Sequence, residues 1–190
     1  MKTISVFNHV TVDGFFAGPN GEIDWFKVIQ RDDEWEKYTH SQSQSGNTLL
    51  FGRTTYEMMK SFWPTPLGIE SDPDMAKVVN TSPKIVFSRT LRSVEEGPNW
   101  KNIRLLHDIR LEEVRKLKER EDMLILGSGT IVQQLANLGL INEYHLVTVP
   151  IILGAGKSLF RDIETTNLKL LESRAFKNGI AMLRYQPITQ

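Results

Sequence analysis

The chain contains no cysteine. Disulfides, zinc–thiolate centres and thiol catalysis are therefore excluded. Histidine is scarce: His9, His40, His107 and His145 are the only four, and no two stand at metal-ligand spacing, so no metal site is expected. Charge of one sign is lacking too. Lys and Arg total 23 against 23 Asp and Glu, so bulk composition favours neither nucleic acid nor a membrane surface as partner. No apolar run reaches membrane-spanning length. The start, MKTISVFNHVTVDG, is broken by Asn8, His9 and Asp13 and lacks a signal peptide's apolar stretch, which points to a cytoplasmic protein. What remains is an ordinary globular composition, 40% hydrophobic and 24% charged. A length of 190 residues suits a single domain, 1–190, with a sizeable core.

Apolar patterning sets the order of elements. Residues 3–12 alternate as a strand, followed by turns at Asp13-Gly14 and Asn20-Gly21. Residues 32–43 read as a helix with Trp35 and Tyr38 on its buried face, and the polar stretch 40–47 ends it. Thr48–Phe51 reads as a buried strand, Lys84–Phe87, Ile103–Leu106 and Met123–Leu126 as strands, and Tyr144–Ile152 as a long one. Helices are expected from near Thr55, from Asp72 with Pro73 in the first turn, over Leu111–Arg120, and over Ile131–Leu138 closed by Gly139. Residues 168–176 and 180–185 flank Asn178-Gly179 and read as an antiparallel hairpin. Strand–helix alternation with a terminal hairpin predicts an α/β fold, its mixed sheet mostly parallel and covered by helices on both faces.

Parallel sheets bind ligands beyond the carboxyl ends of their strands. Three such ends carry suitable groups. In MLILGSGTIVQQL, Gly127 and Gly129 let backbone amides approach a ligand, Thr130 can cap the helix, and the helix N-terminus suits a pyrophosphate. It departs from the usual dinucleotide fingerprint, because Val132 stands at the third glycine position and no acid follows about twenty residues on. In LLFGRTTYEMM, Thr54 and Glu57 have capping-box spacing, which leaves Arg53 unexplained except as a fork for phosphate oxygens. In PKIVFSRTL, Ser88, Arg89 and Thr90 end a strand with a second cation and two hydroxyls. Two arginines with hydroxyls suit a ribose 2′-phosphate, so NADPH is favoured over NADH. A tight structural turn remains the alternative at each position.

FGRTTYEMM, IVFSRT and ILGSGTIVQQL, in that order, resemble the dihydrofolate reductase fold. LGLINEYHLVTVPIILGAGKSLF and VTVDGFFAG resemble the reductase domain of the bifunctional riboflavin-biosynthesis deaminase-reductase. The resemblance runs from about residue 3 to 187. It implies a three-layer dihydrofolate reductase-like fold with a sheet of about eight strands, NADPH as cofactor, and a homodimer. By matching motif, Gly52, Arg53, Thr54 and Thr55 would contact cofactor phosphates, and Ser88 and Arg89 the adenosine 2′-phosphate. Gly127, Ser128, Gly129 and Thr130 would cradle the pyrophosphate, and the loop Asp13 to Gly21 would border the nicotinamide. No deaminase motifs, His-x-Glu or Cys-x-x-Cys, precede this domain.

On the substrate side the candidates are Asn8 and Thr148, on strands expected to line the cleft, with Asp24 and Trp25, whose indole could stack on a flat ring. Each has a structural alternative: Trp25 as a loop anchor, Asp24 as a cap, Thr148 as a plain strand residue. Lys157 suits a substrate phosphate or a solvated loop. Acids at 32, 33, 34 and 36 crowd one helix start, and the sequence does not show which turns inward. No catalytic acid is assigned. The expected activity is hydride transfer from NADPH to a small heterocyclic or carbonyl substrate, of the 5-amino-6-(5-phosphoribosylamino)uracil reductase type. Dihydrofolate reduction, or nucleotide binding without turnover, are the alternatives.

Overall fold

The structure is a computed structural model describing residues 2–30, 32–43 and 46–188. Its centre is an eight-stranded sheet in the order β5-β4-β3-β6-β1-β7-β10-β9. These strands are β1 (Ile4–Thr11), β3 (Thr48–Gly52), β4 (Lys84–Phe87), β5 (Ile103–Leu106), β6 (Met123–Ile125), β7 (Glu143–Val149), β9 (Leu168–Ala175) and β10 (Ala181–Pro187). The first six in spatial order run parallel; β10 pairs antiparallel with β7 and β9. Every residue of β3 and β4 is buried, as parallel strands covered on both faces require.

Two helical layers cover the sheet. On one face, α5 (Leu111–Lys118) and α6 (Gly129–Asn137) bring Val114, Ile131, Val132 and Leu135 onto Ile4, Val6, Leu50, Ile85 and Ile125. On the other, α1 (Asp33–Ser43) sets Trp35 and Tyr38 against Val147, Phe176 and Met182. Beside it, α2 (Arg53–Phe62) and α4 (Pro73–Thr81) pack Tyr56 and Val79 on Leu49, Phe51, Val86 and Trp100. The architecture is the three-layer α/β sandwich with a terminal hairpin that the pattern predicts.

Several details differ. The strand expected to reach residue 152 stops at Val149, because Pro150 has no amide to donate and Ile151 N folds back onto Val149 O at 2.7 Å. A short helix α3 (Pro66–Ser71), a 3-10 helix over Asp24–Val28 and a two-stranded ribbon of β2 (Phe15–Ala17) with β8 (Lys157–Ser158) escape the sequence pattern. In that ribbon a side chain at Gly156 would collide with Ala17 O, which explains this glycine of the GAGK stretch. Asp13 ties the same two loops together, accepting from Gly154 N at 2.8 Å and Leu153 N at 3.3 Å. The end of the polar stretch 40–47 lies partly outside the described residues.

Candidate functional site

A cleft of about 970 Å³ opens over the carboxyl ends of β4, β3, β6 and β1. Its floor is made by two strand-to-helix turns. Gly52 is the N-cap of α2 and Ser128 the N-cap of α6, and neither helix start receives a side-chain cap. A helix begins with amides that have no partner within the helix. Here two such N-termini, each carrying partial positive charge, face one cleft. They abut: a Cβ on Gly52 would overlap Ser128 Oγ and lie 3.2 Å from Ser128 Cβ. Gly127 has φ +100°, a left-handed conformation that glycine adopts without strain, and a Cβ there would lie 3.4 Å from Thr55 Oγ1 and 3.7 Å from Asn8 Nδ2. At Gly129 a Cβ would press on Phe16 Cε1 at 2.7 Å. The glycines keep side-chain bulk out of this floor.

The sequence places a capping box at Thr54 and Glu57 and a helix cap at Thr130. The structure corrects both. Because α2 begins at Arg53, Glu57 is one turn on from it and forms an i,i+4 ion pair, Arg53 Nε to Glu57 Oε1 at 2.8 Å. Thr130 is already the second residue of α6, and its hydroxyl meets Ser128 Oγ at 2.8 Å.

One end of the cleft is cationic. Arg53 Nη1 donates to Thr90 Oγ1 at 2.9 Å, so a guanidinium that leaves β3 reaches the exit of β4. Arg89 Nε donates to Asp108 Oδ1 at 2.8 Å, and this bond holds the Asp108 carboxyl below the usual carboxylate range. Ser88 is buried, and its hydroxyl accepts from the amides of Leu91 at 3.0 Å and Thr90 at 3.2 Å. Gly52, Arg53, Thr54, Thr55, Ser88, Arg89, Gly127, Ser128, Gly129 and Thr130 all line this one cleft.

The substrate-side candidates divide. Asn8 lines the cleft, and its buried Oδ1 has no hydrogen-bond partner among the described residues. Trp25 does not: it is buried, and its indole packs edge-on against Phe26 at 4.3 Å between centroids, so it is a loop anchor and Phe26 faces the cleft instead. Asp24 is exposed at the start of the 3-10 helix, outside the lining. Thr148 stands in register with Val10 and Ala181, one strand beyond the cleft. Lys157 does reach the rim. Of the four acids at the start of α1, the inward one is Asp32. Both its oxygens are occupied, Oδ1 by the amides of Glu34 and Trp35 and Oδ2 by that of Asn178 at 3.0 Å. It is a helix cap tied to the hairpin turn, outside the cleft lining.

Residues 2–182 match the family model of the RibD C-terminal domain. This chain is a member of that family. The RibD-type domain is 32% identical over 179 residues to YyaP of Bacillus subtilis (strain 168), an uncharacterized protein, covering 93% of this chain and 90% of that one. Among solved structures it resembles a diaminohydroxyphosphoribosylaminopyrimidine deaminase/5-amino-6-(5-phosphoribosylamino)uracil reductase from Thermotoga maritima. That likeness has a TM-score of 0.66 at 15% identity and covers 98% of this chain and 57% of the longer one. It also resembles dihydrofolate reductase from Enterococcus faecalis, solved with NADP(H), at a TM-score of 0.60 and 13% identity, over 98% of this chain and 97% of that one. At these identities the structures establish the fold, which is dihydrofolate reductase-like.

Sequence reasoning missed much of what the RibD-type domain places opposite its cationic end. His9 lies on the lining there, its ring 4.8 Å from Phe26 and 6.1 Å from Trp35 between centroids. Burial alone pushes its pKa down to about 4, so the imidazole is neutral at physiological pH. Met58, Met59, Phe62 and Trp63 of α2 and its exit, with Met75 of α4, complete the wall. Thr55, Met58, Met59 and Phe62 have the spacing of a single helix face, which was visible in the sequence but reads equally as core.

Proposed function

We propose that this domain is an NADPH-dependent reductase of a small heterocyclic or carbonyl substrate, of the type represented by the pyrimidine reductases of riboflavin biosynthesis. One observation carries the reading: two uncapped helix N-termini and two arginines open onto the same cleft. The donor set fits the cofactor. The amides at the start of α6 suit a pyrophosphate, and Thr54, Thr55 and the start of α2 lie beside them. Arg53, Arg89 and Ser88 offer charge-assisted bonds to a 2′-phosphate that NADH lacks. Asn8, whose buried carbonyl oxygen has no partner among the described residues, suits a carboxamide N–H. When bound, the dihydronicotinamide supplies a hydride, and the chain's own part is to align donor and acceptor and exclude water.

The similar solved structures support this: one includes a 5-amino-6-(5-phosphoribosylamino)uracil reductase and another holds NADP(H). The resembled folate reductases hold the pterin with one inward carboxylate on the helix before the Gly-Arg strand; here the inward acid at the start of α1, Asp32, is taken up as a helix cap, which disfavours folate reduction. The resemblance also implies a homodimer, which light scattering on the purified protein tests. For the cofactor, the test is NADPH titration followed by fluorescence, then oxidation with candidate acceptors. Saturable binding with NADPH preferred over NADH is expected. Binding without turnover of any acceptor would favour a sensing role, and no binding would refute the proposal.

A further inference from the structure

The cationic end of the cleft extends one strand past Arg89, to the exit of β5, where His107 joins the lining. β5 is the edge strand and runs parallel to β4, with Phe87 opposite Leu106. The residues that follow are therefore neighbours: Ser88 N donates to Leu106 O at 2.9 Å, and His107 Nδ1 lies 3.1 Å from Ser88 O. A carbonyl oxygen can only accept, so Nδ1 carries the hydrogen in this contact. The neutral ring then presents Nε2 as a bare lone pair, with no hydrogen-bond partner among the described residues. His107 is exposed, so a solvent proton reaches it freely.

Charge at this end falls short of what a 2′-phosphate brings. Arg53 pairs with Glu57, and Asp108 is shared by Arg89 at 2.8 Å and Arg110 at 3.6 Å. Three guanidiniums against two carboxylates leave one net positive charge. Ile109, with Thr130 and Gln134 of α6, adds none. Arg92, Glu112 and Glu113 stay outside the lining, and Glu112 pairs with Arg115. Lys157 stands on the β2–β8 ribbon, beside Gly21. A phosphate monoester carries a charge of about −1.5 to −2 at neutral pH. One positive charge is missing, and His107 is the titratable side chain placed to supply it.

We infer that His107 determines cofactor specificity in this cleft: its imidazole takes up a proton when a nucleotide 2′-phosphate binds, and Nε2–H then donates to a phosphate oxygen while Nδ1–H stays on Ser88 O. The inference rests on the NADPH reading of the cleft. The step is an acid–base one, in which NADPH, the neutral imidazole and one proton from solvent give the complex of NADPH with the imidazolium. NADH has no 2′-phosphate, so nothing holds the added proton and none is taken up. Because the complex holds more protons than the free partners, NADPH binding strengthens as pH falls. Selectivity for NADPH then fades as pH rises through the range in which histidine loses its charge, about pH 5 to 8. Arg53 and Arg89 keep their charge over that whole range, so on their own they would give a selectivity independent of pH.

The test is calorimetric titration of the protein with NADPH and with NADH, in two buffers of different ionisation heat, which counts the protons exchanged on binding. It is run at about pH 7.5, above the phosphate's own second ionisation at about 6. Roughly half to one proton should be taken up with NADPH and none with NADH. Between about pH 6.5 and 8.5 the NADPH dissociation constant should rise roughly tenfold, while that of NADH stays within about twofold. His107→Gln keeps an N–H donor but cannot become charged, so it should abolish the uptake and flatten the profile. His107→Arg, charged throughout, should flatten the profile at the tight-binding level. The side chain is exposed, so both variants should fold. Proton uptake unchanged in His107→Gln would overturn the assignment, because the proton would then go elsewhere. A preference for NADPH over NADH that is constant with pH in the wild type would overturn it too. Either result leaves the reductase reading standing, whereas no binding of NADPH at any pH would overturn both.

Discussion

Replacing Arg53 by alanine should convert an NADPH-selective cleft into one that barely distinguishes the two nicotinamide cofactors. The guanidinium is half-exposed and held at two points, by Glu57 at 2.8 Å and by Thr90 at 2.9 Å, so it is prepositioned toward the exit of β4. A charge-assisted hydrogen bond contributes about 1.5–3 kcal/mol. At ~1.4 kcal/mol per decade, losing it weakens NADPH by roughly ten- to a hundredfold. Arg89 is far more open, its side chain 80% exposed, and Asp108 already neutralises it. Solvent screening then puts Arg89→Ala at about tenfold or less. NADH has no 2′-phosphate, so its affinity should change by less than about twofold in either variant. Energy transfer from tryptophan to bound dihydronicotinamide gives both constants, at low and at moderate salt, and the NADPH preference should shrink as salt rises. Equal losses for NADPH and NADH would refute the assignment of these arginines to the 2′-phosphate, whatever the absolute affinities.

Two further predictions concern the scaffold. Gly52→Ala forces Ser128 to rotate out of its 2.8 Å bond with Thr130. The loss should be about 1 kcal/mol, or ~2–4 °C in Tm for a chain of this size, and adding Ser128→Ala should restore at least half of it; additive losses would mean that the two helix starts do not abut. Lys84 is buried beneath Trp100 and donates to the carbonyls of Asn80, Ser82 and Lys101, yet burial lowers its pKa from 10.5 to about 8. Between those values the unfolded chain binds the proton and the folded chain does not, so stability should rise with pH across that window, by up to about 3 kcal/mol. Denaturant curves of the wild type minus those of Lys84→Met isolate this contribution, and a flat difference would refute it.

The central parallel strands β3 and β4 were legible because they are buried on both faces. Four consecutive apolar or β-branched residues, as in Thr48–Phe51, leave little choice but a strand. The ribbon of β2 and β8 was not, since three residues against two are too few to show a period. At the cleft, Arg53 and Arg89 were readable because a charge at the exit of a buried strand has no packing explanation. The apolar wall was hidden for the opposite reason: Met58, Met59 and Phe62 have a perfectly adequate packing explanation, and only the third dimension shows a cavity beside them. Trp25 and Phe26 exchanged roles because the twist of a 3-10 turn, invisible in composition, decides which ring enters the core. Glu57 shows how a shift of two residues in a helix start turns a capping box into an ion pair.

The most direct measurement is a crystal structure of the protein grown with NADPH. The account predicts pyrophosphate oxygens within about 3 Å of the Gly129 and Thr130 amides. It also predicts the 2′-phosphate beside Arg53 and Arg89, and the carboxamide at Asn8. A nucleotide bound away from the turn at Gly127–Thr130, or an empty cleft at saturating cofactor, would contradict it.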